Sequence, residues 1–191
     1  MDATKEKLLT VASKIFSRFG FHKTTMDEIA RIARKAKGSL YYYFSNKEDL
    51  FREVVTGEIN ILKNELQPLV DDPEISADTK LRDYLTKRME ILKSANNYHD
   101  TLKADFYEHF DFIDEVRADL EQWEKDNLRK IIVQGTDEGI FVSGQNLEVL
   151  LDVLIMVLKG LEIPFFLQNK YDDLSPYFDD LLNILVKGLS K

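Results

Sequence analysis

Between Lys35 and Lys47 the chain gathers Lys35, Lys37, Ser39, Tyr41, Tyr42, Tyr43 and Lys47 around Gly38. Cations, a hydroxyl and phenols in such density suit a polyanion. A lysine reaches a phosphate oxygen or the O6/N7 edge of guanine, and a serine reaches a base edge or a phosphate. Tyrosines offer hydroxyls to phosphates and ring edges to thymine methyls. Gly38 carries no Cβ, so its backbone can approach a ligand closely. Thr24 and Thr25 lie upstream, where hydroxyl and backbone N–H donors would meet a phosphate at a helix start. Lys47 would clamp the backbone at the next helix start. Leu40 and Phe44 are expected to face the core. Aromatic residues at helical spacing usually pack, so one of three consecutive tyrosines must turn inward. Tyr42 is expected to lie partly against the first helix, leaving Lys37 and Tyr41 to touch DNA.

Two short helices and a turn would hold these groups. Met26, Ile29, Ala30 and Ala33 fall at i, i+3, i+4 and i+7, one helical face, with Thr25 as cap and Asp27 and Glu28 favourable for the dipole. After a turn around Arg34 to Ala36, the segment Lys37 to Phe44 would present its N-terminal turn to a major groove. A preceding helix over Thr4 to Phe19 buries Leu8, Ala12, Ile15, Phe16 and Phe19 and stops at Gly20. A fourth helix starts near Asn46 and ends at Pro68 and the Asp71-Asp72-Pro73 turn. Further helices are expected over 76–95, 98–112, 114–138, 146–168 and 174–189. Helical periodicity dominates and no stretch sustains two-residue alternation, so the fold class is all-α, with about nine helices.

The run Ala12, Phe16, Gly20, Phe21, Thr24-Thr25, Ile29-Ala30, Ala33, Lys37-Gly38-Ser39-Leu40-Tyr41, Tyr43-Phe44, Lys47 and Leu50 resembles the N-terminal DNA-binding domain of the TetR family of bacterial transcriptional regulators. The resemblance runs from about Lys5 to Phe51; beyond it the likeness is architectural. It implies a helix-turn-helix DNA-binding domain over residues 1–46 and a helical ligand-binding and dimerisation bundle over 47–191. The implied protein is a homodimeric repressor on pseudo-palindromic double-stranded operator DNA, released by a small-molecule effector. Where the family commonly has Gly-Val-Ser in the turn, this chain has Arg34-Lys35-Ala36. The change removes the residue that best tolerates positive φ and a hydroxyl cap, so a looser turn is expected. It adds cations, so a larger phosphate contribution is expected, with Lys35 contacting any sequence alike.

A net charge of −8 over 191 residues would by itself argue against nucleic acid. Residues 1–52, however, hold eleven Lys and Arg against six Asp and Glu, a local charge of +5, leaving −13 on the remainder. Screening confines attraction to about 8–10 Å, so a basic head can dock while an acidic body is held off. There are no cysteines, hence no disulfide or thiolate metal site, which fits a cytoplasmic protein. No leader is seen, and the longest strongly apolar run, Val153 to Leu158, is far short of a bilayer span, so no membrane partner is expected.

The body offers candidates for a pocket lining in Tyr84, Met89, Leu92, Phe106, Tyr107, Phe110, Trp123, Met156, Phe165 and Phe166, each of which could equally be ordinary core. The mixture of acids and aromatics over Asp105 to Glu115 would suit a cationic aromatic molecule. Asp105 and His109 share metal-ligand spacing but lack a third ligand, and neither a metal nor a cofactor is expected. No nucleophile elbow or phosphate-cradling loop supports an enzyme. Leu147, Leu151, Leu154 and Leu158, with Phe178, Leu182 and Leu185, form apolar stripes expected to pack against their two-fold mates as an intersubunit bundle. Two rival readings are an architectural DNA-binding protein without an effector and a helical enzyme or carrier.

Overall fold

The structure, a computed structural model, describes residues 2–107, 111–142 and 146–190, with side chains throughout except at 104–107, 111 and 112. Phe106, Tyr107, Phe110, Asp105 and His109 therefore lie outside the described side chains. The helices are α1 (Ala3–Phe19), α2 (Met26–Ile32), α3 (Lys37–Tyr43), α4 (Lys47–Asp71), α5 (Ala77–Leu92), α6 (Asn96–Tyr107), α7 (Asp111–Asp137), α8 (Leu147–Glu162), α9 (Tyr171–Leu174) and α10 (Phe178–Leu189). A π-helical turn, Ile163–Leu167, follows α8, and a 3-10 turn, Ser175–Tyr177, precedes α10. The fold is all-α; among the described residues the one extended pairing is an isolated bridge between Phe141 and Ser190.

Two expected boundaries move, and one is narrowed. Pro68 does not end α4, which runs on to Asp71 at the expected Asp71-Asp72-Pro73 turn. A proline this close to a helix end forfeits a single backbone hydrogen bond, and the burial of Leu66 and Val70 on either side holds the last turn in place. The helix expected over 146–168 stops at Glu162, where Pro164 lies at the entry to the π turn. The helix expected over 174–189 begins as an α-helix at Phe178, after the 3-10 turn that holds Pro176.

The chain divides into two compact units, Met1–Asn60 with Ala95–Val116, and Ile61–Ser94 with Arg117–Lys191. The first is larger than residues 1–46, because it takes in the start of α4 and all of α6. Asp2 caps α1 by accepting from the Thr4 N–H at 2.8 Å, and Gly20, at φ 80°, ends it. The buried face of α1 is Leu8, Ala12, Ile15 and Phe16; Phe19, expected inside, is exposed. Phe16, Phe21 and Phe51 form the aromatic centre, with Phe51 5.0 Å from each of the other two rings. The first turn of α6 is capped from α4. Glu58 accepts from the Tyr98 N–H at 2.8 Å and from Asn97 Nδ2 at 2.6 Å, and Asn97 Nδ2 also donates to Ser13 of α1 at 3.1 Å. Burial raises the Glu58 carboxyl above its ordinary value despite these donors.

The second unit has an apolar core of Leu81, Leu85, Met89 and Leu92 from α5, Leu128 and Ile131 from α7, Leu151, Leu154 and Leu158 from α8, and Phe178 and Leu182 from α10. A charged cluster lies inside it. Arg88 donates from Nε to Glu124 at 2.5 Å and from Nη2 to Glu162 at 2.6 Å, and all three side chains are within 2% of fully buried. The guanidinium fork thus joins α5, α7 and α8, a geometry that lysine could not reproduce. After α7 the chain folds back on itself. The N–H groups of Ile140 and Phe141 both donate to the Gly135 carbonyl at 2.9 Å. The Phe141 ring then lies where a Cβ on Gly135 would stand, 2.2 Å from it.

Candidate nucleic-acid interface

The α2–turn–α3 segment is braced from inside and open outside. Thr25 and Glu28 form a capping box, the Glu28 N–H donating to Thr25 Oγ1 at 3.3 Å and the Thr25 N–H to the Glu28 carboxylate at 3.2 Å. Met26, Ile29, Ala30 and Ala33 are buried, the face that the spacing predicts. The turn closes as a Schellman motif. Arg34 N–H donates to the Arg31 carbonyl at 3.1 Å, Lys35 N–H donates to the Ala30 carbonyl at 3.0 Å, and Arg34 holds φ at 55°. The hydrogen bonds expected to loosen are therefore made, and the missing glycine appears instead as backbone strain of about 1 kcal/mol at Arg34. Ala36 begins α3 without a side-chain cap, as its methyl dictates.

Leu40 and Phe44 anchor α3 in the core, which leaves Lys37, Gly38, Tyr41 and Tyr42 exposed along its outer edge. Ser39 is half-buried beside them. A Cβ on Gly38 would meet nothing within 4 Å, so no packing inside the chain requires glycine there. Lys37 Nζ lies 2.8 Å from Asp27 Oδ1 and 5.7 Å from the centre of the Tyr41 ring. That hydrogen bond raises the lysine above its ordinary pKa.

Two expectations are corrected, those for Tyr42 and Thr24. Tyr42 is 81% exposed and does not pack on the first helix. The tyrosine tied to the rest of the chain is the half-buried Tyr43, whose hydroxyl donates to the exposed Asp2 carboxylate. The same bond pushes the phenol up to about 12 and lowers the Asp2 carboxyl. Thr24 is buried and its hydroxyl donates to the Gly20 carbonyl at 2.8 Å, so it serves the turn rather than a phosphate. Lys47 is half-buried, donating to the Phe21 carbonyl at 3.0 Å with its Nζ 4.2 Å from the Phe21 ring centre; it ties the end of the first hairpin to α4. Lys35 likewise donates to Thr4 Oγ1 at 3.2 Å. The carboxylates of Asp2 and Asp27 were legible only as caps and dipole partners, because their contacts with α3 cross 41 and 10 residues of sequence.

In the second unit Tyr84, Met89, Leu92, Phe165 and Phe166 are core residues. Tyr84 Oη is buried with no hydrogen-bond partner among the described residues, and burial pushes the phenol well above its ordinary value. Trp123 is half-buried under Lys63, 5.6 Å away. Met156, expected to line a pocket, is 70% exposed and stands at the open groove beside α8. The intersubunit seam is also corrected: Leu151, Leu154, Leu158, Phe178 and Leu182 are buried within the chain itself, and Leu147 and Leu185 are half-buried. The apolar face that α8 leaves exposed is Val149, Val153, Met156 and Val157, followed by Gly160 with open space at its Cβ position. On α10 the exposed apolar residue is Ile184. An open groove of about 440 Å³ beside α8 is lined by Ile155, Met156 and the charged pairs Lys125–Asp152 and Lys159–Glu121.

Residues 8–54 match the family model of the bacterial regulatory proteins of the TetR family. An HTH-type transcriptional regulator of Bacillus subtilis, YhgD, is 42% identical over 59 residues, 31% of each chain. The HTH-type transcriptional regulator QacR of Staphylococcus aureus is 43% identical over 54 residues, 28% of this chain and 29% of that one. The chain thus aligns with about a third of these relatives' length. A probable acrEF/envCD operon repressor of Escherichia coli aligns over 163 residues at 24% identity, 83% of this chain and 74% of the repressor. Among solved structures, a transcriptional regulator from Cytophaga hutchinsonii superposes with a TM-score of 0.79 at 24% identity, covering 100% of both chains. The regulator FadR of Bacillus subtilis, solved with stearoyl-CoA, superposes with a TM-score of 0.76 at 18% identity, covering 96% of this chain and 98% of that one. These likenesses agree on fold along the whole chain and on sequence in the capped helix-turn-helix, where residues 8–54 match the TetR family of bacterial regulatory proteins.

Proposed function

We propose that the protein is a cytoplasmic transcriptional repressor that binds a pseudo-palindromic operator as a homodimer and leaves it when a small molecule binds the second unit. The observation that carries the DNA-binding part is the outer edge of α3. Lys37, Gly38, Tyr41 and Tyr42 stand exposed on a helix whose other side is anchored by Leu40 and Phe44, within the segment that matches the family model. A short helix held from behind and polar in front fits the major groove through its N-terminal turn. Retention of genomic fragments sharing one motif supports this reading, and uniform coating of DNA supports an architectural protein instead.

Dimerisation rests on the apolar stripe Val149, Val153, Met156 and Val157 on α8, with Ile184 on α10. An exposed stripe at i, i+4, i+7 and i+8 is wide enough for a partner helix, and a second copy presents the same stripe. Two heads joined in this way would read half-sites about 34 Å apart on one face of the duplex. An effector is the remaining part of the reading. It would act through α4 and through the connection from α5 to α6, since Asn97 holds α6 to Ser13 of α1 and to Glu58 of α4. The structure of FadR with stearoyl-CoA shows that a protein of this fold accommodates an organic ligand. A thermal-shift screen of metabolites, followed by operator-release assays on the hits, tests the effector; ligands that stabilise the protein without loosening DNA would refute the coupling. No catalytic activity is part of this reading.

A further inference from the structure

The recognition helix begins with a charge in an unfavourable place. Lys37 is the first residue of α3, where the helix dipole disfavours a cation, and no side chain caps that end. Its ammonium is instead held by the Asp27 carboxylate, 2.8 Å to Oδ1 and 3.0 Å to Oδ2. Asp27 lies in the first turn of α2, where the helix dipole favours an anion. Farther along α3, the Tyr43 hydroxyl donates to the carboxylate of Asp2. Both carboxylates are exposed. Asp27 offers Lys37 what a DNA phosphate would offer, two anionic oxygens at hydrogen-bond distance, and Asp2 offers Tyr43 one.

We propose that Asp27, seconded by Asp2, acts as an internal phosphate surrogate that sets the DNA affinity of the recognition helix. Duplex binding exchanges the carboxylate for a phosphate or a guanine edge on Lys37. The ion pair is more than half exposed at both ends, 60% and 65%, so it breaks without disturbing the core. A duplex that gives Lys37 no better acceptor leaves the pair closed, and Asp27 then repels the nearby phosphates. This inference rests on the proposed DNA-binding function.

The test is a double-mutant cycle on the full chain, read by fluorescence anisotropy with a random-sequence duplex of about 30 base pairs at low and moderate salt. Asp27→Asn is expected to tighten binding about three- to tenfold, in the range of one exposed charge pair. In a Lys37→Gln background the same change is expected to gain less than about twofold, because the cation to be released is gone. Asp27→Ser, which keeps a helix-start residue, guards against a local effect of asparagine. Unchanged affinity for both Asp27 variants overturns the proposal. So does a gain that persists undiminished in the Lys37→Gln background, which would mean only a general loss of negative charge. Wild-type protein that fails to bind the duplex even at low salt overturns the DNA-binding reading and this inference with it.

Discussion

The α3 and α8 helices follow one construction and differ on their outer faces. Each buries leucine on one side, Leu40 in α3 and Leu151, Leu154 and Leu158 in α8. Outward, α3 shows Lys37, Gly38, Tyr41 and Tyr42, whereas α8 shows Val149, Val153, Met156 and Val157. The inner faces account for the fold and are interchangeable in kind. The outer faces are what differ, and they differ as their proposed partners do: a hydrated polyanion for α3 and a second apolar helix for α8.

The sharpest way to break that comparison is to charge the two sides of α8 separately. Leu154→Asp places a carboxylate in the core and should unfold the second unit, at a cost of about 3–5 kcal/mol. Met156→Glu should leave the helical signal intact and shift sedimentation from dimer to monomer. If Leu154→Asp instead gave a folded monomer, the division between inner and outer faces would be wrong. Arg88→Ala should come next. It leaves Glu124 and Glu162 buried without their guanidinium, a loss of about 3–5 kcal/mol measurable by urea unfolding. A loss below about 1 kcal/mol would mean that the cluster is not a structural tie.

On α3 the effects are smaller and concern binding. Lys37→Ala and Tyr41→Ala should each weaken specific DNA binding by about 1–3 kcal/mol with the melting temperature unchanged. Thr24→Val should do the reverse, losing stability through the hydroxyl bond to Gly20 while sparing DNA contacts. The smallest expected change is a gain. Arg34→Gly relieves the left-handed backbone and should stabilise the fold by about 0.5–1 kcal/mol in thermal melts, although an arginine is lost near the DNA. A destabilised Arg34→Gly variant would show that the strain at φ 55° is offset by contacts of the side chain.

What was legible in the sequence follows from how local each signal is. The buried face of α2 and its capping box lie within Thr25 to Ala33, so spacing alone revealed them. The direction of Tyr42 and Tyr43 was not legible, because the partner that holds Tyr43 is Asp2, 41 residues away. Thr24 likewise reads as a phosphate ligand until its hydroxyl is seen to bond Gly20. In the body, the leucines of α8 and α10 read as stripes, but hydropathy is the same whether a stripe faces its own chain or another. Leucine was spent on the intrachain core, and the smaller valines and a methionine were left outside. The Arg88 cluster was invisible, since its members are 36 and 74 residues apart and each alone reads as a solvated charge.

The central claim is that the outer edge of α3 reads DNA in a defined sequence. Sequencing the genomic fragments retained by the wild-type protein at physiological salt tests it most directly. The account predicts one or a few fragments sharing two inverted half-sites about 34 Å apart, lost when Lys37 and Tyr41 are both replaced by alanine. Retention without any shared motif, or a motif that survives the double replacement, would contradict it.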